Sequence, residues 1–118
     1  MIQIFGTPKC KGTRAAQRYF SDRRIAVQVI DLREKGMSKG EVASVARAVG
    51  SFGALYDPAS PKVPTRGLQY AVPSEAKLAT LLVEHPALLR TPIVRHGSAA
   101  AVGHDEARWA ELAAAARG

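Results

Sequence analysis

Apolar positions change rhythm several times along the chain, and each rhythm predicts an element. Ile2, Ile4 and Phe5 form a short β-prone run that Gly6-Thr7-Pro8 ends. Beyond Pro8 the period becomes helical: Ala15, Ala16, Tyr19 and Phe20 recur with Arg14, Arg18 and Asp22 among them. Ile25 to Asp31 then alternates and is rich in β-branched residues, which predicts a second strand buried on at least one face. Strand, helix and strand in this order make a βαβ unit with parallel strands and a right-handed crossover.

Ser38-Lys39-Gly40-Glu41 has the spacing of a capping box, and Val42, Val45, Ala46 and Val49 follow as one apolar stripe ending at Gly50. From Ser51 to Val72, Pro58, Pro61, Pro64 and Gly67 interrupt any long element. A loop-rich excursion with a turn or two of helix is expected there, and so long an irregular stretch usually signals function or mobility. Ser74 can cap a helix carrying Leu78, Leu81 and Leu82, with Pro86 marking its end. Leu88 to Arg95 leads into a strand, His96-Gly97 turns the chain, and Ala99 to Val102 returns as an antiparallel partner. Asp105 caps a last helix with Trp109, Leu112, Ala113 and Ala116 on one face. The expected class is α/β: β-α-β, a helical insertion over about residues 36–86, then β-β-α.

Composition narrows the picture further. A chain of 118 residues at 47% hydrophobic content builds one ordinary core, so residues 1–118 read as one domain. Seventeen Lys plus Arg against ten Asp plus Glu give a net charge of +7. That balance favours an anionic partner: nucleic acid, an acidic protein surface, or a small oxyanion or anionic thiol such as glutathione. Arginine-rich usage alone explains it equally well, since no basic run exceeds Arg23-Arg24. No apolar run approaches the roughly 20 residues that span a bilayer, and Met1 to Phe5 carries no basic leader, so a cytoplasmic protein without a membrane partner is expected. The single cysteine rules out an intramolecular disulfide and fits a reducing compartment.

By position alone, that cysteine is the candidate centre of chemistry. Gly6-Thr7-Pro8-Lys9-Cys10 puts the thiol where the first strand gives way to the first helix, so unpaired backbone N–H groups and the helix dipole favour thiolate over thiol. Lys9, Lys11 and Arg14 add positive charge within a turn. A lone cysteine packed as a small hydrophobe is the commoner fate, but the flanking lysines and the turn favour the reactive reading. Thr91-Pro92-Ile93 leaves two possibilities open: a cis peptide bond, or a trans proline that starts an edge strand. His85, His96 and His104 fit no ligand spacing, so no metal site is expected. Trp109 and the Tyr19/Phe20 pair read as core aromatics, and without aromatic-basic interleaving no specific nucleic-acid binding is expected.

With these elements, the chain resembles the thioredoxin-like fold of glutaredoxin type, and within it the ArsC/Spx family of arsenate reductase-like proteins. The matching residues are Ile4 to Cys10 with Arg14, Gly67-Leu68, and His85-Pro86-Ala87-Leu88-Leu89-Arg90-Thr91-Pro92-Ile93-Val94 followed by Val102-Gly103. The resemblance implies a thioredoxin-like sheet with an inserted helical subdomain and a cis Pro92 lying against the cysteine. It further implies Cys10 as nucleophile and no bound cofactor. Glutathione or another external thiol, or a glutaredoxin or thioredoxin, would resolve the product formed from a small oxyanion or oxidised thiol. Arsenate-reducing relatives hold the oxyanion with three arginines, and Asp57, Thr91 and Gly103 stand at those places here, which counts against arsenate. Cys10, Thr13 and Arg14 are the candidate catalytic residues, with Lys9, Lys11, Thr91, Pro92, Arg90 and Arg66 as candidates for holding an anion or thiol. A solvated surface arginine is the alternative reading of Arg90 and Arg66. Spx-like regulators carry Cys-x-x-Cys and bind RNA polymerase; Thr13 at the second position excludes that disulfide. Thr13 either donates a hydrogen bond to the thiolate or is simply a first-turn residue. The competing expectation is a non-enzymatic module that docks RNA polymerase or another protein through its basic surface and the 51–72 segment.

Overall fold

A computed structural model of the chain describes residues 1–59 and 73–117. Strand β1 (Ile2–Gly6), helix α1 (Lys11–Asp22) and strand β2 (Val27–Asp31) open the fold, and β1 and β2 pair in parallel with Ile4 opposite Val29. Helix α2 (Lys39–Val49), a 3₁₀ turn at Gly53–Leu55 and helix α3 (Glu75–Glu84) follow. A second 3₁₀ turn at Pro86–Leu88 leads to the hairpin of β3 (Ile93–His96) and β4 (Ala99–Val102), and α4 (Glu106–Arg117) comes last. The sheet runs β2-β1-β3-β4, with β3 antiparallel to β1 and β4.

The local signals in the sequence are satisfied as bonds. Ser38 Oγ accepts the Glu41 N–H at 3.1 Å while the Glu41 carboxylate accepts the Ser38 N–H at 2.9 Å, closing the capping box. Gly50 ends α2 at φ +109°, a conformation that disfavours any residue with a Cβ. Ser74 Oγ caps α3 through Lys77 N–H, and Asp105 Oδ1 caps α4 through Arg108 N–H. The hairpin turn is one residue later than expected: His96 still pairs with Ala99, leaving Gly97 and Ser98 as the two-residue loop.

Alternation along β1 divides the core between the two faces of the sheet. Ile2 and Ile4, with Val94 and Ala101, pack on Ala16, Phe20, Trp109, Leu112 and Ala113 from α1 and α4. Phe5, Ile93 and Ala100 face the insertion and meet Val42, Val45, Leu55, Leu78, Leu82 and Leu88. Each fully buried Val, Leu, Ile or Phe among them contributes about 1.5–3 kcal/mol, so the insertion is fastened to the sheet by the same core that stabilises it. On the α1–α4 side Tyr19 meets Phe20 and Trp109 edge-on while Phe20 and Trp109 lie tilted to each other, the core role expected of them.

Strand β2 departs from the expectation of a buried face. None of its residues is fully buried, and Val29 is 43% exposed. It lies at the sheet edge with a single strand neighbour, and Val27 and Ile30 reach opposite core clusters only at their margins. The strand also starts at Val27, because Ile25 N–H still bonds the Phe20 carbonyl at the end of α1. Within the irregular segment, the Glu75 carboxylate holds the N–H groups of Phe52 and Gly53, and Tyr56 bridges to Leu89. Residues 60–72, and with them Arg66, Gly67 and Leu68, lie outside the described residues. Among the described residues, no helix is long and apolar enough to cross a membrane.

Candidate active site

Pro8 and Lys9 turn the chain out of β1, and Cys10 becomes the N-cap of α1 in an extended conformation, φ −80° and ψ 118°. Its backbone is tied on both sides: Cys10 N–H bonds the Thr7 carbonyl and the Cys10 carbonyl accepts Arg14 N–H, each at 3.1 Å. The side chain is left partly exposed at the end of the sheet. Thr91, 81 residues further on, brings its hydroxyl to the sulfur and donates to Cys10 Sγ at 3.2 Å. The Thr91–Pro92 peptide bond is cis. Pro92 is buried and packs against the first turn of α1, where a Cβ on Gly12 would stand 2.8 Å from Pro92 Cδ and 3.7 Å from Cys10 Sγ. Glycine at position 12 is thus what lets helix and proline meet.

Two opposing influences set the thiol's acidity. Burial of the sulfur pushes its pKa up; the hydroxyls of Thr13 and Thr91 and the N–H groups of Thr13 and Gly12 together pull it lower, so it lies below the ordinary thiol value. The Thr91 bond is the one closed at hydrogen-bonding geometry. Cys10 makes no side-chain cap bond, and Thr13 Oγ1 is buried without a partner, so Thr13 acts on the sulfur through its dipole rather than through a formed bond. Thr13 itself is 1% exposed and sits where a Cβ on Gly6 would collide with it.

The basic residues behave differently from the expectation. Lys9, Lys11 and Arg14 are exposed and are not among the groups that lower the thiol pKa. Arg14 Nη1 instead donates to the Pro8 carbonyl at 2.6 Å. Their charges stand in water, where screening weakens them. Arg90 is also turned elsewhere. Its backbone N–H bonds the Leu55 carbonyl at 2.7 Å, its guanidinium donates to the Tyr56 carbonyl at 3.3 Å, and it lines a groove with Arg108 and Asp105. Arg66 cannot be placed, since it lies outside the described residues. Of the described residues singled out in the sequence, the fold therefore gathers Cys10, Thr13, Thr91 and Pro92 and leaves Lys9, Lys11, Arg14 and Arg90 at the rim or beyond.

A groove of about 310 Å³ opens beside the thiol, lined by Thr7, Leu32, Arg33, Asp57, Leu89 and Thr91 together with Pro86, Ala87 and Ala59. Thr7 accepts the Cys10 N–H and Thr91 donates to its sulfur, so the groove begins at residues bonded to Cys10. Sequence reading missed Thr7, Gly12 and Arg33 as members of this region. Only Gly12 left a trace, as a glycine in the first turn of an otherwise regular helix. Among the described residues no group of His, Cys, Asp and Glu could hold a metal ion.

Comparison with known proteins matches nearly the whole chain. The profile of the ArsC family matches residues 5–112. An arsenate reductase from Vibrio cholerae is 25% identical with a TM-score of 0.81, covering 94% of this chain and 96% of its own. A candidate ArsC family related protein from Bacteroides fragilis superposes with a TM-score of 0.84 at 14% identity, over 94% and 96% of the two chains. An arsenate reductase related protein from Brucella melitensis gives 0.65 at 16% identity, over 93% and 92%. No curated protein matches the sequence significantly. The architecture is the thioredoxin-like fold of that family.

Proposed function

The chain belongs to the ArsC family, and on that premise we propose that it is a monothiol oxidoreductase in which the Cys10 thiolate is the nucleophile. The observation that carries this reading is the Thr91 hydroxyl donating to Cys10 Sγ beside the cis Pro92, at a helix N-terminus. A donor aimed at sulfur stabilises the charge that makes it a nucleophile, and the N-terminal N–H groups and dipole of α1 act in the same direction. Thr13 holds a buried, unpartnered hydroxyl on the same side, available to the thiolate and to charge that develops during attack.

With an oxidised thiol as substrate, the thiolate attacks one sulfur, the S–S bond breaks, and the other sulfur leaves as thiolate while a mixed disulfide forms on Cys10. Cys10 is the only cysteine, so the second half must come from outside. An external thiolate, from glutathione, another small thiol or a redoxin, attacks the mixed disulfide and releases Cys10 in its starting state. An oxyanion would need cations at the sulfur, and among the described residues the candidate arginines, Arg14 and Arg90, are committed to backbone carbonyls. Oxidised thiols are accordingly the better-supported substrate class, and arsenate the weaker.

Cys10→Ser tests the proposal: glutathione-dependent reduction of a small disulfide should be abolished, and the covalent adduct should vanish from the intact mass. Turnover that survived the substitution would sink it. The regulatory alternative, docking on RNA polymerase, draws support from the net charge of +7 alone. Capture of a partner that is indifferent to Cys10→Ser would favour that alternative.

A further inference from the structure

Resting on the reading of Cys10 as a thiol-exchange nucleophile, we propose that the groove beside it takes the organic half of small disulfides bearing an ammonium group, with Asp57 selecting that charge. A volume of about 310 Å³ is several times the space of a small oxyanion, since one water occupies roughly 30 Å³. Leu32, Pro86, Ala87 and Leu89 give it apolar walls suited to a carbon chain.

The charges inside the groove are unequal despite a basic chain. Arg33 lines it, but its Nε and Nη2 already donate to the Asp31 carboxylate, at 3.1 Å to Oδ1 and 2.7 Å to Oδ2. That pair is close to neutral. Asp57 Oδ1 accepts the Ala59 N–H at 2.9 Å, an Asx turn that fixes the carboxylate at the groove wall. Among the described residues no Lys or Arg forms an ion pair with Asp57. Among the described residues the uncompensated charge of the groove is therefore negative, and it complements a cation on the group transferred to Cys10. In the exchange the Cys10 thiolate attacks one sulfur of R–S–S–R, one R–S⁻ leaves, and the half retained as Cys10–S–S–R lies along the groove until an external thiolate displaces it.

Two symmetric disulfides of opposite charge provide the test: cystamine, with an ammonium on each arm, and dithiodiglycolate, with a carboxylate on each. Rate constants for adduct formation on Cys10 are read by intact mass for the wild type and Asp57→Asn, whose amide oxygen can still accept the Ala59 N–H. The substitution should slow cystamine and speed dithiodiglycolate by about threefold each, so the cystamine-to-dithiodiglycolate ratio falls by about tenfold at low salt and by less at high salt. Using the ratio between the two proteins cancels the different intrinsic reactivity of the probes. An unchanged ratio, or equal slowing of both probes, overturns the assignment of Asp57 while leaving Cys10 as nucleophile. Failure of wild-type Cys10 to react with either disulfide overturns the proposed function and this inference together.

Discussion

Thr91→Val removes the hydroxyl that bonds Cys10 Sγ and keeps the β-branched shape before Pro92, which makes it the cleanest probe of the site. A hydrogen bond to a charged acceptor is worth about 1.5–3 kcal/mol when shielded, but this sulfur is partly exposed and water can take the place of the lost donor, so about 1 kcal/mol is the appropriate magnitude. That corresponds to about fivefold less thiolate on the acid limb of the titration. The assay is the rate of iodoacetamide alkylation of Cys10 across pH: the variant's midpoint should move up toward the ordinary thiol value, with the two proteins converging at high pH. Stability should follow with a definite sign. Because the folded thiol's pKa lies below its unfolded value, the thiolate contributes stability that is fully present above the unfolded pKa and is lost as pH falls through the folded one. Wild type should therefore gain on Thr91→Val in urea midpoint as pH rises into the ordinary thiol range. Superimposable alkylation profiles, or a midpoint lower in the variant, would refute the role of Thr91.

Gly6→Ala should destabilise the fold by about 2 kcal/mol, since the new methyl collides with the fully buried Thr13 side chain. Adding Thr13→Ala should recover most of that loss in urea unfolding, and absence of recovery would show that the clash lies elsewhere. Ser38→Ala opens the capping box of α2 and should cost about 1 kcal/mol without altering the pH profile of Cys10 alkylation. A changed profile there would mean that α2 and the thiol site are coupled more closely than their separation in the fold indicates.

Local signals were legible wherever a few adjacent residues settle the outcome. The capping box at Ser38-x-x-Glu41, the stop at Gly50, the Ser74 and Asp105 caps and the period change at Pro8 are all encoded within one or two helical turns, and each formed. The resemblance to relatives added the cis Pro92 beside the cysteine, which neither composition nor spacing could supply. Charge patterning served less well. Lys9, Lys11 and Arg14 lie close to Cys10 in sequence, yet side-chain direction and solvent decide what a cation does, and Arg14 turned to the Pro8 carbonyl.

By itself, the sequence determined that the one thiol would stand at a strand-to-helix turn, because hydrophobic period and turn chemistry act over neighbouring residues. Tertiary structure decided what surrounds that thiol. Placing β3 against β1 carries Thr91 across 81 residues to the sulfur and sets Pro92 on Gly12. Packing of the insertion on the sheet puts Asp57 and Leu89 in the groove and turns Arg90 away from it. Being at the edge, not its composition, leaves Val29 of β2 exposed. Contacts of this kind depend on which faces are brought together across the whole chain, and no short stretch of sequence contains that information.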